Sequence, residues 1–122
     1  MNVLIVDDSD MMRRVLKLAF AQNMEESAYH ITEARNGAEA WETILRDTTI
    51  GLIFVDWNMP VLNGFDLVKK IRARGMQTPI IMVSSVSDEA MIHEAIQAGV
   101  SSYMRKPVRV TDVWEQVQEY IP

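Results

Sequence analysis

Five residues that could perform chemistry lie at or just beyond the ends of short apolar segments. They comprise three acids, a hydroxyl and an ammonium, namely Asp7, Asp8, Asp56, Ser84 and Lys106. Neighbouring carboxylates repel one another, and a hard divalent cation such as Mg²⁺, which prefers oxygen ligands, relieves that repulsion. A carboxylate can also act as a nucleophile toward phosphorus, in a reaction that depends on positioning and on neutralising phosphoryl charge. These residue types therefore indicate metal-assisted phosphoryl transfer, provided that the fold brings them together.

Each of these residues also has an ordinary structural interpretation. Asp is favoured at helix N-termini, so Asp7 and Asp8 could simply cap the helix that follows, and capping is the preferred interpretation of Asp10. An acid or a serine after an apolar run also fits a turn, and a lone lysine is usually a solvated surface charge. The chemical interpretation therefore depends on all of the candidate residues converging in one fold.

Apolar segments alternate with helical patterns along the whole chain, and together they predict the elements that position these residues. Continuous apolar runs at residues 3–6, 52–55 and 80–83 suit strands covered on both faces, as in a parallel sheet. Weaker strands are predicted at residues 30–34 and 102–104, and apolar residues recur at helical spacing in the intervals. The predicted order is strand then helix, five times. This order defines an α/β fold with a doubly wound, five-stranded parallel sheet.

The predicted topology places the candidate residues at one edge of the sheet. Doubly wound sheets bind ligands at the carboxyl ends of their strands, and each candidate residue follows such an end. Turn and capping residues support the helix boundaries. Asn36-Gly37 and Asn63-Gly64 precede helical patterns, Ser87 is predicted to cap the fourth helix, and Gly99 is predicted to end it.

Composition limits the classes of protein to which the chain can belong. It has 122 residues, enough for one domain (predicted as residues 1–122), and a net charge of -5. It has no cysteine, which excludes disulfides and thiolate chemistry and is consistent with a cytoplasmic location. The acidic balance argues against direct binding of nucleic acid. No apolar run approaches the roughly 20 residues that span a membrane, and the N-terminus does not resemble a secretory signal peptide.

The sequence resembles the receiver domains of bacterial response regulators over essentially its whole length. The matching motifs occur in the family's order and at similar spacing: Val6-Asp7-Asp8, Asp56-Trp57-Asn58-Met59-Pro60 with Asn63-Gly64 behind it, Val83-Ser84-Ser85, Gly99-Val100, and Tyr103 ahead of Lys106-Pro107. The resemblance implies a flavodoxin-like (βα)5 fold with strand order 2-1-3-4-5. Within the family, the Asp56 motif and Met12-Arg13-Arg14 are most similar to stand-alone chemotaxis regulators.

The resemblance also implies how the acidic residues and the lysine act. Asp56 is the expected phosphoacceptor. Asp7, Asp8 and Asp56, together with the backbone carbonyl of Asn58, are the expected ligands of Mg²⁺ or Mn²⁺. Lys106 is expected to pair with the phosphoryl oxygens.

Two further residues are expected to convert phosphorylation into a change of shape. By the same resemblance, Ser84 is the hydroxyl that moves toward the phosphoryl group, and Tyr103 is the aromatic that moves between exposed and buried positions. The Lys106-Pro107 peptide bond is expected to be cis. Trp57 is interpreted as a surface ring beside the site, with no assigned role.

The implied function is that of a phosphoacceptor switch in a two-component system, in chemotaxis or a similar response. The expected partners are a histidine kinase, an output protein on the face formed by the fourth helix, fifth strand and fifth helix, and a phosphatase. No nucleic acid or membrane is expected as a direct partner. The chain is not expected to be a turnover enzyme, although it would assist its own phosphorylation and slow dephosphorylation.

Three alternatives remain open at the level of sequence. The chain could be a receiver cut from a longer regulator with a separate output domain. It could be a phosphatase with an aspartate nucleophile, but such enzymes usually carry a second Asp two residues on, where this chain has Asn58. It could also be an interaction module that takes no phosphate, although the complete set of acids, hydroxyl and lysine argues against this.

Overall fold

A computed structural model describes residues 1–121 of the chain. It contains the strands β1 (Asn2–Val6), β2 (His30–Ala34), β3 (Ile50–Val55), β4 (Ile80–Ser84) and β5 (Ser102–Arg105). These alternate with the helices α1 (Asp10–Ala21), α2 (Gly37–Arg46), α3 (Gly64–Ala73), α4 (Glu89–Ala98) and α5 (Val110–Val117). A short 3₁₀ helix, Glu26–Ala28, precedes β2. The strands are parallel in the order β2-β1-β3-β4-β5, which confirms the predicted doubly wound α/β fold.

The central strands are buried on both faces, as their continuous apolar sequences predict. Successive side chains of a strand point to opposite faces of the sheet, so β1 contributes to two separate cores. Val3 and Ile5 pack with residues of α1 and α5, whereas Leu4 and Val6 pack with residues of α2, α3 and α4. Helices therefore cover both faces of the sheet, and the loops at the carboxyl ends of the strands form one edge of the molecule.

The helices are those of a compact α/β domain and are short. The longest, α1, has 12 residues. Across residues 1–121, no helix combines the length and apolar character needed to cross a membrane.

Two helix N-termini differ from the sequence-based predictions. Ser9, rather than Asp10, caps α1, since its hydroxyl accepts a hydrogen bond from the backbone N–H three residues on, at 3.2 Å. Asp88, rather than Ser87, caps α4 through the same kind of bond at 3.1 Å. Ser and Asp cap about equally well, so the residue types alone could not decide between neighbours. Gly99 ends α4 as predicted, with a left-handed φ of 119°.

Candidate functional site

Backbone hydrogen bonds continue the sheet just beyond the strand ends and fix the starting points of the candidate side chains. The N–H of Asp7 donates to the carbonyl of the last β2 residue at 3.1 Å, and that of Asp56 donates to the last β1 residue at 3.0 Å. The N–H of Lys106 donates to the carbonyl of Ser84 at 2.9 Å. The strand order therefore brings residues that are distant in sequence to one edge, as predicted.

Three carboxylates meet at this edge, and one ammonium pairs with two of them. Asp7, Asp8 and Asp56 each offer a carboxylate oxygen, and these oxygens all lie within 4.8 Å of one another. The Nζ of Lys106 lies 3.1 Å from Oδ2 of Asp7 and 3.1 Å from Oδ2 of Asp56. Asp7 and Asp56 are buried, with 1% and 7% exposure, whereas Asp8 is exposed at the mouth of the cluster.

The pKa shifts of the cluster follow from burial and from these contacts. Burial raises the pKa of Asp7, although the N–H of Ser9 and the ammonium of Lys106 act in the opposite direction. Burial also works against the charged form of Lys106, but its bonds to Asp56 and Asp7 outweigh it and raise the pKa of Lys106. A buried carboxylate with a raised pKa gains from an additional cation nearby.

The donor set fits a hard divalent cation. It consists of carboxylate oxygens, the ligands that Mg²⁺ prefers, and three negative charges face one positive side chain. The exposed position of Asp8 gives an incoming cation and its water molecules access to the cluster. Asn58, whose carbonyl was predicted as a further ligand, lies exposed in the loop that follows Asp56. The cluster is thus compatible with metal binding in both chemistry and access.

The predicted switch residues lie on neighbouring strands and contact the backbone of the same residue, Val86. Ser84, fully buried at the end of β4, accepts a hydrogen bond from the N–H of Val86 at 3.2 Å. The hydroxyl of Tyr103, on β5, donates to the carbonyl of Val86 at 2.6 Å. Tyr103 is half-buried, and this burial raises its pKa. Both residues therefore hold the loop between β4 and α4.

A glycine that the sequence suggested only as a turn residue packs against the backbone of Asp56. The N–H of Gly64 donates to the carbonyl of Trp57 at 2.8 Å, which folds the β3–α3 loop back on itself. A Cβ at Gly64 would lie 1.9 Å from the carbonyl oxygen of Asp56. The Asn63-Gly64 pair indicated a turn, but the contact that requires glycine depends on tertiary structure.

Trp57 is not the surface ring that the sequence analysis expected. It is 8% exposed and stacks on Phe65, with ring centroids 5.2 Å apart and an interplanar angle of 8°. The β3–α3 loop turns its side chain into the core between the sheet and α3, because Gly64 permits the loop to fold tightly there. The Lys106-Pro107 bond is cis, as predicted.

Sequence reasoning also missed Arg13, which lies on the buried side of α1. Its guanidinium donates to the backbone carbonyl of Asp7 at 2.7 Å and therefore contacts the backbone that carries the acidic cluster. Met12-Arg13-Arg14 carried the family resemblance, but nothing in the sequence distinguished the buried arginine from its exposed neighbour.

Comparison with known proteins identifies the family. Residues 3–118 match the model of the response regulator receiver domain, so the chain belongs to that family. It is 41% identical over 109 residues to the chemotaxis protein CheY1 of Helicobacter pylori, which covers 88% of this chain and 86% of that protein. It is 35% identical over 123 residues to the CheY homolog of Campylobacter jejuni, with 99% and 92% coverage. The chain is therefore a CheY-like receiver domain, the kind of module that acts as a switch in two-component signalling.

Solved structures give the same result for the fold. The crystal structure of the Vibrio cholerae chemotaxis protein CheY4 matches with a TM-score of 0.85 at 26% identity, covering 98% of each chain. The receiver domain of the Francisella response regulator 1452 matches with a TM-score of 0.86 at 28% identity, covering 98% of this chain and 94% of that one. These similarities confirm the flavodoxin-like strand order that the resemblance implied.

Proposed function

We propose that this receiver domain, spanning residues 1–122, accepts a phosphoryl group on Asp56 from a histidine kinase in the cytoplasm. One observation carries the proposal: the ammonium of Lys106 lies 3.1 Å from the carboxylates of both Asp56 and Asp7. A partly buried ammonium beside a buried carboxylate, with further carboxylates adjacent, supplies both a nucleophile and a charge partner for phosphoryl oxygens.

The protein groups of the cluster would divide the chemistry between them. An oxygen of Asp56 attacks phosphorus, forming the acyl phosphate as the bond from phosphorus to the donor's leaving group breaks. Lys106 pairs with a phosphoryl oxygen, and the buried hydroxyl of Ser84 donates to another. Each contact neutralises or binds charge that the phosphoryl group brings into a partly buried site, where such interactions are strong.

We further propose that Mg²⁺ or Mn²⁺ binds at this cluster, held by Asp7, Asp8, Asp56 and the backbone carbonyl of Asn58. The support is the gathering of carboxylate oxygens within 4.8 Å and the access that the exposed Asp8 provides. When bound, the cation supplies positive charge for the phosphoryl oxygens and relieves repulsion among the acids. Asp7 is buried and bonded to Lys106 and to Ser9, and these two bonds would hold its carboxylate in a fixed orientation toward the cation.

The output of the switch is proposed to be a changed surface on α4, β5 and α5. Ser84 and Tyr103 bond to the N–H and the carbonyl of the same residue, Val86, so a movement of the Ser84 hydroxyl toward a phosphoryl group would disturb the support of Tyr103. An output protein that binds this surface then distinguishes the two states. Since the relatives at 35–41% identity are chemotaxis proteins, we propose chemotaxis or a similar response as the process.

A long-lived phosphoryl group suits this function better than rapid turnover does. Asn58 occupies the position where aspartate-based phosphatases usually carry a general acid, and an amide cannot exchange protons in that way. The receiver would therefore lose its phosphoryl group slowly by itself and faster with a separate phosphatase. Multiple turnover of phosphomonoesters by the purified chain would instead support the phosphatase alternative.

Intact mass spectrometry after incubation with acetyl phosphate and Mg²⁺ tests the proposal directly. We expect the wild-type chain and the control Asp66→Asn, which alters an exposed acid on α3, to gain the mass of one phosphoryl group. Asp56→Asn is expected to gain none, and omission of Mg²⁺ is expected to abolish the gain in all variants. A wild-type rate in Asp56→Asn would refute the assignment of the nucleophile.

A further inference from the structure

Arg13 is a charged residue in a buried position. It is 6% exposed, although it lies in α1 next to the exposed Arg14. Arginine is rarely buried unless its charge and its N–H donors are satisfied, because removing them from water is costly. The groups around Arg13 must therefore satisfy its charge and its N–H donors.

The guanidinium of Arg13 contacts three acceptors from three parts of the chain. One terminal nitrogen donates to the backbone carbonyl of Asp7 at 2.7 Å, and Nε donates to Glu33 on β2 at 3.0 Å. The other terminal nitrogen pairs with Asp10. Lys17 also contacts Glu33, at 3.2 Å, and so fixes the far side of that carboxylate. The rigid fork of an arginine can span such a set of acceptors, whereas a lysine cannot.

The carbonyl that Arg13 holds belongs to the peptide joining Asp7 to Asp8. Two carboxylates of the proposed metal site, those of Asp7 and Asp8, extend from the two sides of this one peptide plane, so its orientation influences where their oxygens lie. The N–H of Asp7 is already bonded to the last residue of β2, at 3.1 Å. The bond from Arg13 therefore adds a constraint on the other side of Asp7 and locks the turn between β1 and α1.

Charge balance indicates a role in orientation rather than in charge neutralisation. Two acids, Asp10 and Glu33, pair with Arg13, and its contact with the cluster is to a neutral carbonyl oxygen. Lys106 is instead the cation that faces the carboxylates of the site. Arg13 thus adds little positive charge to the cluster, and it would not compete with an incoming divalent cation.

We propose that Arg13 is a positioning residue for divalent-cation binding, which it promotes by holding the Asp7-Asp8 peptide through a clamp anchored on Glu33 and Asp10. This inference rests on the proposed function, because it presupposes a metal at the acidic cluster. Groups that orient metal ligands from outside the coordination sphere typically change metal affinity by about 10- to 100-fold when removed.

Binding of Mn²⁺ to the purified chain, followed by the loss of the electron paramagnetic resonance signal of free Mn²⁺, tests the proposal. Arg13→Ala is expected to raise the dissociation constant about tenfold. Arg14→Ala removes the same charge from the neighbouring, exposed position of α1 and is expected to change it less than twofold. Glu33→Gln, which releases one anchor of the clamp, is expected to raise it by a smaller factor than Arg13→Ala.

A second measurement separates positioning from general damage to the fold. At saturating Mg²⁺, Arg13→Ala is expected to reach the wild-type rate of phosphorylation by acetyl phosphate, with the Mg²⁺ concentration for half-maximal rate raised about tenfold. Arg13→Lys keeps the charge and most of the packing, so it provides a folded variant if the alanine variant does not fold. It is expected to bind Mn²⁺ more weakly than wild type, because an ammonium cannot reach all three acceptors.

The outcomes distinguish this inference from the proposed function. If the folded Arg13 variants bind Mn²⁺ within twofold of wild type, the positioning role is refuted and the metal site stands. If the wild-type chain itself binds no Mn²⁺, the metal site is refuted, and the role of Arg13 is refuted with it.

Discussion

At the scale of single residues, Lys106 is expected to weaken metal binding and to speed phosphorylation. It bonds to Asp7 and Asp56, and its positive charge would compete with a divalent cation for the same carboxylates. For Lys106→Met we expect tighter Mn²⁺ binding, because a competing positive charge is removed. The same change is expected to slow phosphorylation by about 100-fold or more, because the proposed charge partner of the phosphoryl group is lost.

The two effects of Lys106→Met are measured by Mn²⁺ binding and by the initial rate with acetyl phosphate at saturating metal. Lys70→Met, which removes an exposed lysine of α3, is the matched control and should leave both quantities near wild type. Equal phosphorylation rates in Lys106→Met and Lys70→Met would exclude Lys106 from the reaction.

Glu33 provides a pH-dependent contribution to stability. Although its partial burial favours the neutral form, its bonds to Lys17 and Arg13 hold the pKa of Glu33 below its ordinary value of 4.5. A lowered pKa means that the folded state binds the proton less readily than the unfolded state. The stabilisation is therefore fully present above pH 4.5 and is lost as the pH falls through the lowered pKa.

Glu33→Gln is accordingly expected to lower the free energy of unfolding at neutral pH by about 0.5–1 kcal/mol, a modest value because Glu33 is partly exposed to solvent. The difference from wild type should shrink at a pH well below 4.5, where the wild-type carboxylate is protonated as well. Urea unfolding at several pH values measures this, with Glu94→Gln on the exposed face of α4 as control. A difference that does not depend on pH would contradict the assignment.

The residues in contact with the site differ in how readily they can be predicted from the sequence. Asp7, Asp56 and Lys106 could be predicted because they lie at strand ends, which the apolar runs located. Arg13 could not, because an arginine in a helix is usually solvated and its acceptors come from other parts of the chain. Trp57 was misplaced for a similar reason, since the direction of a loop side chain depends on how the loop folds.

At the scale of elements, the β3–α3 loop depends on a residue without a side chain. A methyl group at Gly64 would overlap the carbonyl oxygen of Asp56, at a distance of 1.9 Å. Backbone atoms cannot move away as a flexible side chain can, so Gly64→Ala is expected to destabilise the fold by about 3 kcal/mol or more. It should also slow phosphorylation, because the displaced backbone carries Asp56, the proposed nucleophile.

Gly51→Ala is a suitable control for this prediction. Its added methyl group would lie 3.8 Å from its nearest neighbour, the carbonyl oxygen of Asn2, and the position is exposed. We expect a change of less than about 1 kcal/mol there, measured by urea unfolding. Similar losses in both variants would show that the contact at Gly64 does not govern the loop.

Strands were easier to predict than caps. The runs in β1, β3 and β4 are continuous and apolar because both faces of these strands are buried, and this pattern is specific to a covered parallel sheet. The caps of α1 and α4 were each placed one residue away from Ser9 and Asp88, because several good capping residues are adjacent there. The final choice depends on backbone direction, which the sheet and the helices impose together.

At the scale of the whole molecule, the proposed metal binding would be linked to folding, because the acidic cluster exists only when distant strand ends converge. A ligand that binds only the folded state stabilises it by an amount set by its concentration relative to the dissociation constant. At ten times that constant, Mg²⁺ should add about 1.4 kcal/mol to the free energy of unfolding. The denaturation midpoint is therefore expected to rise with Mg²⁺.

Substitution of one acid tests this linkage. Asp8→Asn is expected to abolish most of the Mg²⁺-dependent stabilisation, whereas Asp66→Asn, outside the cluster, should retain it. A midpoint that does not respond to Mg²⁺ in the wild-type chain, up to concentrations that support phosphorylation, would contradict a metal site of this kind.

The backbone of Val86 is held at two points, by Ser84 at its N–H and by Tyr103 at its carbonyl. One residue of the β4–α4 loop therefore makes the two side chains mechanically dependent on each other, although they lie on different strands. If the serine hydroxyl is drawn elsewhere, the amide proton of Val86 becomes free to exchange with solvent deuterium. The exchange rate of that single proton would therefore report the movement of the Ser84 hydroxyl before any partner binds to the surface of α4, β5 and α5.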